Sequence, residues 1–150
     1  MAANRILRSA DDCDARFISD RTVSGALLPC TGVVVGASTL TQATAVTGGL
    51  LALLANRDFY GLLSSATEPL LTPYVSGETG IALMLKPDLQ VVWAMAAGTY
   101  TKGQELTISA SGRLTAAAAT NVVVAFFDQA GATLAAGDLA DVLVANYYVK

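Results

Sequence analysis

The groups that could do chemistry in this chain are acids working without a histidine. The sequence contains no His. That removes the commonest general base, the usual activator of a Ser or Cys nucleophile and the commonest metal ligand. Paired carboxylates can run acid–base chemistry alone, and the candidates are Glu68, Glu78, Asp88, Glu105, Asp128, Asp138 and Asp141. Most stand beside turn residues, where an acid is an ordinary solvated side chain, and no spacing pairs any two of them. Asp11, Asp12, Cys13 and Asp14 are the densest cluster of oxygen and sulfur ligands. Oxygen ligands could hold a hard cation, but this cluster lacks the glycine-turned spacing of a calcium loop. Arg8 and Arg16 flank it, which reads as a solvated or salt-bridged arm. There is no dinucleotide fingerprint, no phosphate-cradling loop ending in Lys-Ser or Lys-Thr, and no nucleophile elbow. The residues therefore predict neither an enzyme nor a cofactor or metal site.

The elements that would position these groups are strands. Residues 98–115 read as turn, strand, turn, strand. Lys102-Gly103 and Ser111-Gly112 supply the turns, because glycine reaches positive φ without steric cost. Between them Leu106, Ile108 and Ala110 alternate with Thr107, Ser109 and Ser111, the period of a half-buried strand. Similar runs at 33–35, 40–46, 81–85, 89–96, 113–116, 122–127 and 139–149 are separated by Gly, Pro, Asn and Asp turns. Short strands at this spacing predict an all-β, mainly antiparallel domain, a compact barrel or sandwich. No room remains for the long helices of a parallel α/β fold. The runs 50–55 and 59–66 are too short to separate one or two helical turns from a strand.

Charge is unevenly placed. Eight of the 21 charged residues lie in positions 1–21, and residues 22–56 carry none. The first 30 residues read as an extended arm, charged and then apolar, with Gly25 and Pro29 interrupting any regular element. Residues 31–150 read as a single β-rich domain, with at most one or two short helices. The uncharged gap is no membrane span, since Gly, Pro and Thr cut it into pieces shorter than the roughly 20 apolar residues a spanning helix needs. Nucleic-acid binding needs clustered basic residues, and this chain has nine Lys and Arg, four of them interleaved with Asp near the start. No apolar signal core follows Met1, so no export signal is read, and Cys13 and Cys30 are expected to stay reduced. Charged residues make up only 14% of the chain, against about 25% in a typical domain. Its surface must be covered by Thr, Ser, Gln and Gly, or by another subunit.

The aromatic residues bear on that choice. Trp93 shares a strand face with Leu89, Val91 and Met95 and reads as core. Phe126-Phe127 and Tyr147-Tyr148 each place one ring on either face of a strand. If one face is core, the other ring needs the arm, a loop or a partner to cover it. Phe59-Tyr60 poses the same question.

The runs 91–114, 122–127 and 137–144 together resemble head decoration (cement) proteins of tailed bacteriophages. The shared layout is strand, Lys-Gly turn, strand, Ser-Gly turn, valine-rich strand, final strand, and it covers roughly residues 75–150. The resemblance implies a structural protein on the capsid exterior of a virion made in the host cytoplasm. It would bind the major capsid protein and bridge neighbouring capsomers. It would also self-associate, as a trimer rather than a dimer, with no catalytic residues and no nucleic-acid or membrane partner. Within that picture residues 1–30 are the lattice-gripping arm, through Arg5, Arg8, Arg16, Phe17, Arg21, Val23, Leu27 and Leu28. Phe59, Tyr60 and Tyr147 are further contact candidates. The alternatives are another virion β module of a tail tube, baseplate or fibre, or a carbohydrate-binding β-domain with clustered exposed aromatics.

Overall fold

The computed structural model describes residues 6, 15–46, 50–57 and 69–150. Its strands in chain order are β1 (Phe17–Val23), β2 (Gly32–Val35), β3 (Thr39–Gln42), β4 (Leu50–Leu54), β5 (Thr79–Met84) and β6 (Gln90–Ala94). They continue with β7 (Gly98–Tyr100), β8 (Glu105–Ile108), β9 (Leu114–Ala116), β10 (Val122–Phe127), β11 (Ala132–Leu134) and β12 (Leu139–Val149). One 3-10 turn, Ala110–Gly112, is the sole helical element among the described residues. The all-β, mainly antiparallel expectation holds. β1, β3, β2, β4 and β5 close a barrel, and β6, β12, β10, β8 and β9 form a five-stranded sheet beside it. β7 and β11 make a separate two-stranded ribbon.

Within the run 50–55, residues Leu50–Leu54 form a strand. They carry an unbroken apolar run because both faces of β4 are covered. Ala52 and Leu54 join Val23, Leu27, Val33, Leu40 and Ala82 in the barrel interior. Leu51 and Leu53 point the other way and pack with Leu83, Val91 and Trp93 in the layer between barrel and sheet. The run 59–66 lies outside the described residues.

The expectation of an extended arm over residues 1–30 fails for its second half. Phe17–Val23 is a barrel strand, antiparallel to β5 and briefly parallel to β3 at Thr22 and Val23. A register shift between Ile18 and Arg21 breaks its alternation, which hides the strand from a period-of-two reading. Further along, Cys30 is buried with φ 58° and donates its N–H to the Leu54 carbonyl. Cys13 lies outside the described residues.

Barrel and sheet meet at two glycines. Gly112 has φ 64°, and a Cβ there would sit 2.4 Å from the Gly32 oxygen and 2.3 Å from Gln42 Nε2. The buried Trp93 donates its indole N–H to the Gly112 carbonyl at 2.9 Å. Gln42 Nε2 donates to the Gly32 carbonyl at 2.8 Å and to Thr31 Oγ1 at 3.1 Å. The Ser111-Gly112 turn is therefore a packing site as well as a chain reversal.

Two glycines with positive φ separate strain from space. Gly103 has φ 81°, but a Cβ there would meet nothing within 4 Å, whereas Gly112 has both a positive φ and no room. Gly103→Ala is expected to cost about 1 kcal/mol, the left-handed penalty alone. Gly112→Ala is expected to cost about 3 kcal/mol or more, since overpacking adds to the strain. Urea unfolding of both variants checks this, and equal costs would remove the close-contact argument.

Candidate interaction surface

Among the described residues, the expected contact residues do not converge. Arg5, Arg8, Phe59 and Tyr60 lie outside the described residues. Val23 and Leu27 are buried in the barrel interior, so their side chains hold the barrel together and present nothing to a partner. Phe17 is half-buried and packs against the main core. Arg16 is exposed, and its carbonyl accepts from the Met84 N–H. Arg21 pairs with Asp20 and donates from Nε to the Gly36 carbonyl at 3.2 Å. Leu28 is exposed near the Leu54 end of β4, while Tyr147 lines a groove with Leu50 at the strand's other end.

That groove encloses about 320 Å³. Leu50 and Leu51 of β4 and Met84 and Leu85 at the end of β5 form one wall. Val144, Ala145, Asn146 and Tyr147 of β12 form the other, with Pro87 at the lining as well. None of these side chains is charged. The groove exists because β12 outruns its neighbour. β6 ends opposite Leu143, and Asp88 and Leu89 extend the pairing only to Val144.

A bulge shapes the wall. Val144 pairs with Ala125 and Tyr148 with Val123, so Ala145, Asn146 and Tyr147 face Val124 alone. Bulges of this kind re-aim side chains at sheet edges. Tyr147 lines the groove, 42% exposed, and burial pushes its phenol up to about 12. The ring edge reaches water while its surroundings still penalise the phenolate.

Tyr148 turns to the opposite face, as the pleat requires. Its hydroxyl donates to Glu105 Oε1 at 2.6 Å, and its ring lies 6.3 Å from that of Phe126. Lys150 Nζ lies 2.9 Å from Glu105 Oε2 and donates to the Ala117 carbonyl at 2.9 Å. The Lys150 bond, and then the Tyr148 bond, holds the Glu105 carboxyl below its usual range. The same bond to Glu105 raises the Tyr148 phenol. Phe127, on the core side, stacks on Tyr100 with ring centroids 5.5 Å apart.

The acids serve turns and pairs. Asp138 Oδ2 accepts the Ala135 N–H at 2.7 Å, and Glu78 accepts the Val75 N–H at 2.7 Å while pairing with Arg57. Asp128 accepts from Gln90 Nε2 at 2.8 Å and lies 3.4 Å from Lys102 Nζ. Among the described residues no three His, Cys, Asp or Glu side chains group as a metal site. Also among the described residues, no helix is long and apolar enough to cross a membrane. The exposed apolar residues that sequence reasoning missed are Leu50, Leu71, Val75 and Val149. Leu50 opens the run 50–55, which the sequence leaves untyped, and it stands exposed beside the end of β12. No family model matches the chain, and no curated protein matches it in sequence.

The raised Tyr147 phenol links pH to stability. The folded state holds this proton from pH 10, where an unfolded tyrosine loses it, to about 12. Across that window the unfolded chain binds fewer protons, so stability falls as pH rises. Tyr147→Phe is expected to remove this part of the alkaline decline. Urea midpoints measured from pH 9 upward check it, and an unchanged slope would show that Tyr147 is not desolvated.

Proposed function

We propose that this chain is a structural virion protein that binds the outside of an assembled capsid and bridges neighbouring capsomers. One observation carries the reading. The residues that resemble phage head decoration proteins supply every strand of the five-stranded sheet, all within positions 90–149, together with β5 of the barrel and the β7–β11 ribbon.

The surface chemistry supports the same reading. The groove presents the exposed apolar side chains of Leu50 and Tyr147, and none of its lining side chains is charged. Such a surface suits a protein contact better than a sugar, because the exposed rings of Tyr147 and Tyr148 lie on opposite faces of β12 and cannot form one stacking platform. Many symmetric copies, each with a modest interface, would resist expansion of a shell through avidity. The gripping surface also shifts. Phe17–Val23 is a barrel strand and Leu27 fills the barrel interior, so lattice contacts in this region fall to exposed side chains such as Arg16 and Leu28.

Immunogold electron microscopy on particles of the virus that encodes the chain tests the proposal. Label is expected evenly over the outside of heads. Label on tails, or on no particle, would overturn it, and the tail result would favour the tail-tube or baseplate alternative.

A further inference from the structure

We propose that two copies of this chain pair through the free edge of β12, each laying its strand end along the other's groove. The inference does not require a capsid and concerns the protein in solution.

The other edges of the five-stranded sheet and of the barrel are protected. The outer edge of β6 is closed where Val92 N–H donates to the Ile6 carbonyl and Ala94 N–H to the Cys30 carbonyl, both at 2.8 Å. At the far side, β9 is only three residues long. In the barrel, β1 meets β3 only at Thr22 and Val23, and its open stretch carries Asp20, Arg21 and a register shift. Short edges, charges and bulges are the ordinary defences against strand addition. Beyond Val144, however, no strand lies on the β6 side of β12 among the described residues. Residues 145–149 carry no charge, and Val149 is 65% exposed. The bulge falls between Val144 and Tyr148, within the strand Leu139–Val149.

The register is self-complementary. Lys150 N–H donates to the Asn121 carbonyl, so Lys150 and Tyr148 direct their backbone groups toward β10. By alternation the N–H and C=O of Tyr147 and Val149 point outward. A twofold axis at Tyr148 places Tyr147 opposite the second copy's Val149 and Val149 opposite the second copy's Tyr147. All four outward-facing residues then exchange backbone hydrogen bonds. Tyr147 lines the groove, and Val149 shares its face by the period of two. The incoming strand thus brings apolar side chains to an apolar groove and covers Leu50. The segment supplies its own complement without bringing charge against charge, which selects a second copy over an unrelated strand. A closed twofold pair differs from the trimer implied by the family resemblance.

Sedimentation equilibrium of the full chain tests this. The wild type is expected to be a dimer. Val149→Lys places a charge on the edge and is expected to weaken the dimer about tenfold or more. Val149→Pro removes one outward N–H without breaking a bond to β10, and it is expected to do the same. Urea midpoints near the wild-type value would confirm that both variants fold. A wild type that is monomeric or trimeric at its highest soluble concentration would overturn the proposal. So would a dimer that survives Val149→Lys. Neither result bears on where the chain sits on a particle.

Discussion

The docking of barrel on sheet turns on one backbone contact, Gly112 against Gly32. A side-chain carbon at Gly112 would lie 2.7 Å from the Gly32 nitrogen and 2.4 Å from its oxygen, so the turn of the sheet rests directly on a barrel strand. Apolar layers are tolerant of sliding, because dispersion is non-directional and similar packings differ little in energy. Backbone contact is not tolerant. With Trp93 bonded to the Gly112 carbonyl and Gln42 to the Gly32 carbonyl, both sides of the contact have their carbonyls satisfied. This fixes the distance and register at which barrel and sheet meet.

The contact sets geometry; the layer around it supplies the stability. A net hydrogen bond contributes about 1 kcal/mol. Each large side chain buried in the shared layer contributes about 1.5–3 kcal/mol, and Leu51, Leu53, Leu83, Val91 and Trp93 all lie there. β4 and the apolar end of β5 therefore serve two cores at once, one face filling the barrel and the other the layer. Because β4 is held there, its first residue, Leu50, comes to lie beside the end of β12. The groove follows from the docking of two bodies and from a mismatch in strand length. No local sequence encodes it.

That distinction explains what was legible. β10 and β12 have the bounds that their valine-rich and alternating runs predict, and Phe127 and Tyr148 take opposite sides of the sheet as the pleat dictates. β4 could be placed but not typed, since a strand buried on both faces loses its period of two. β1 was invisible because its charged stretch and its register shift imitate a solvated arm, although Val23 reaches the barrel centre. The ribbon of β7 and β11 went unread because three residues show no period. Of the candidate contact residues, Tyr147 was legible through its neighbour: two adjacent rings on one strand must go to different environments. Leu50 and Val149 were not, because their exposure depends on where β6 stops.

The end of β12 also shows why an edge can be kept ready for a partner without collapsing. Glu105 binds the Tyr148 hydroxyl and the Lys150 ammonium, and so grips the strand on either side of Val149. Lys150 further donates to the Ala117 carbonyl and pairs its backbone with Asn121. These ties lie on the sheet side and, among the described residues, leave the opposite edge of residue 149 bare. A strand end held extended loses less conformational entropy on association than a free one, which is the general basis of preorganised binding. The Glu105 carboxylate, which the sequence offers as a candidate for acid–base chemistry, thus has a mechanical role. It holds an uncharged edge, unpaired among the described residues, in the conformation that another strand would need to find.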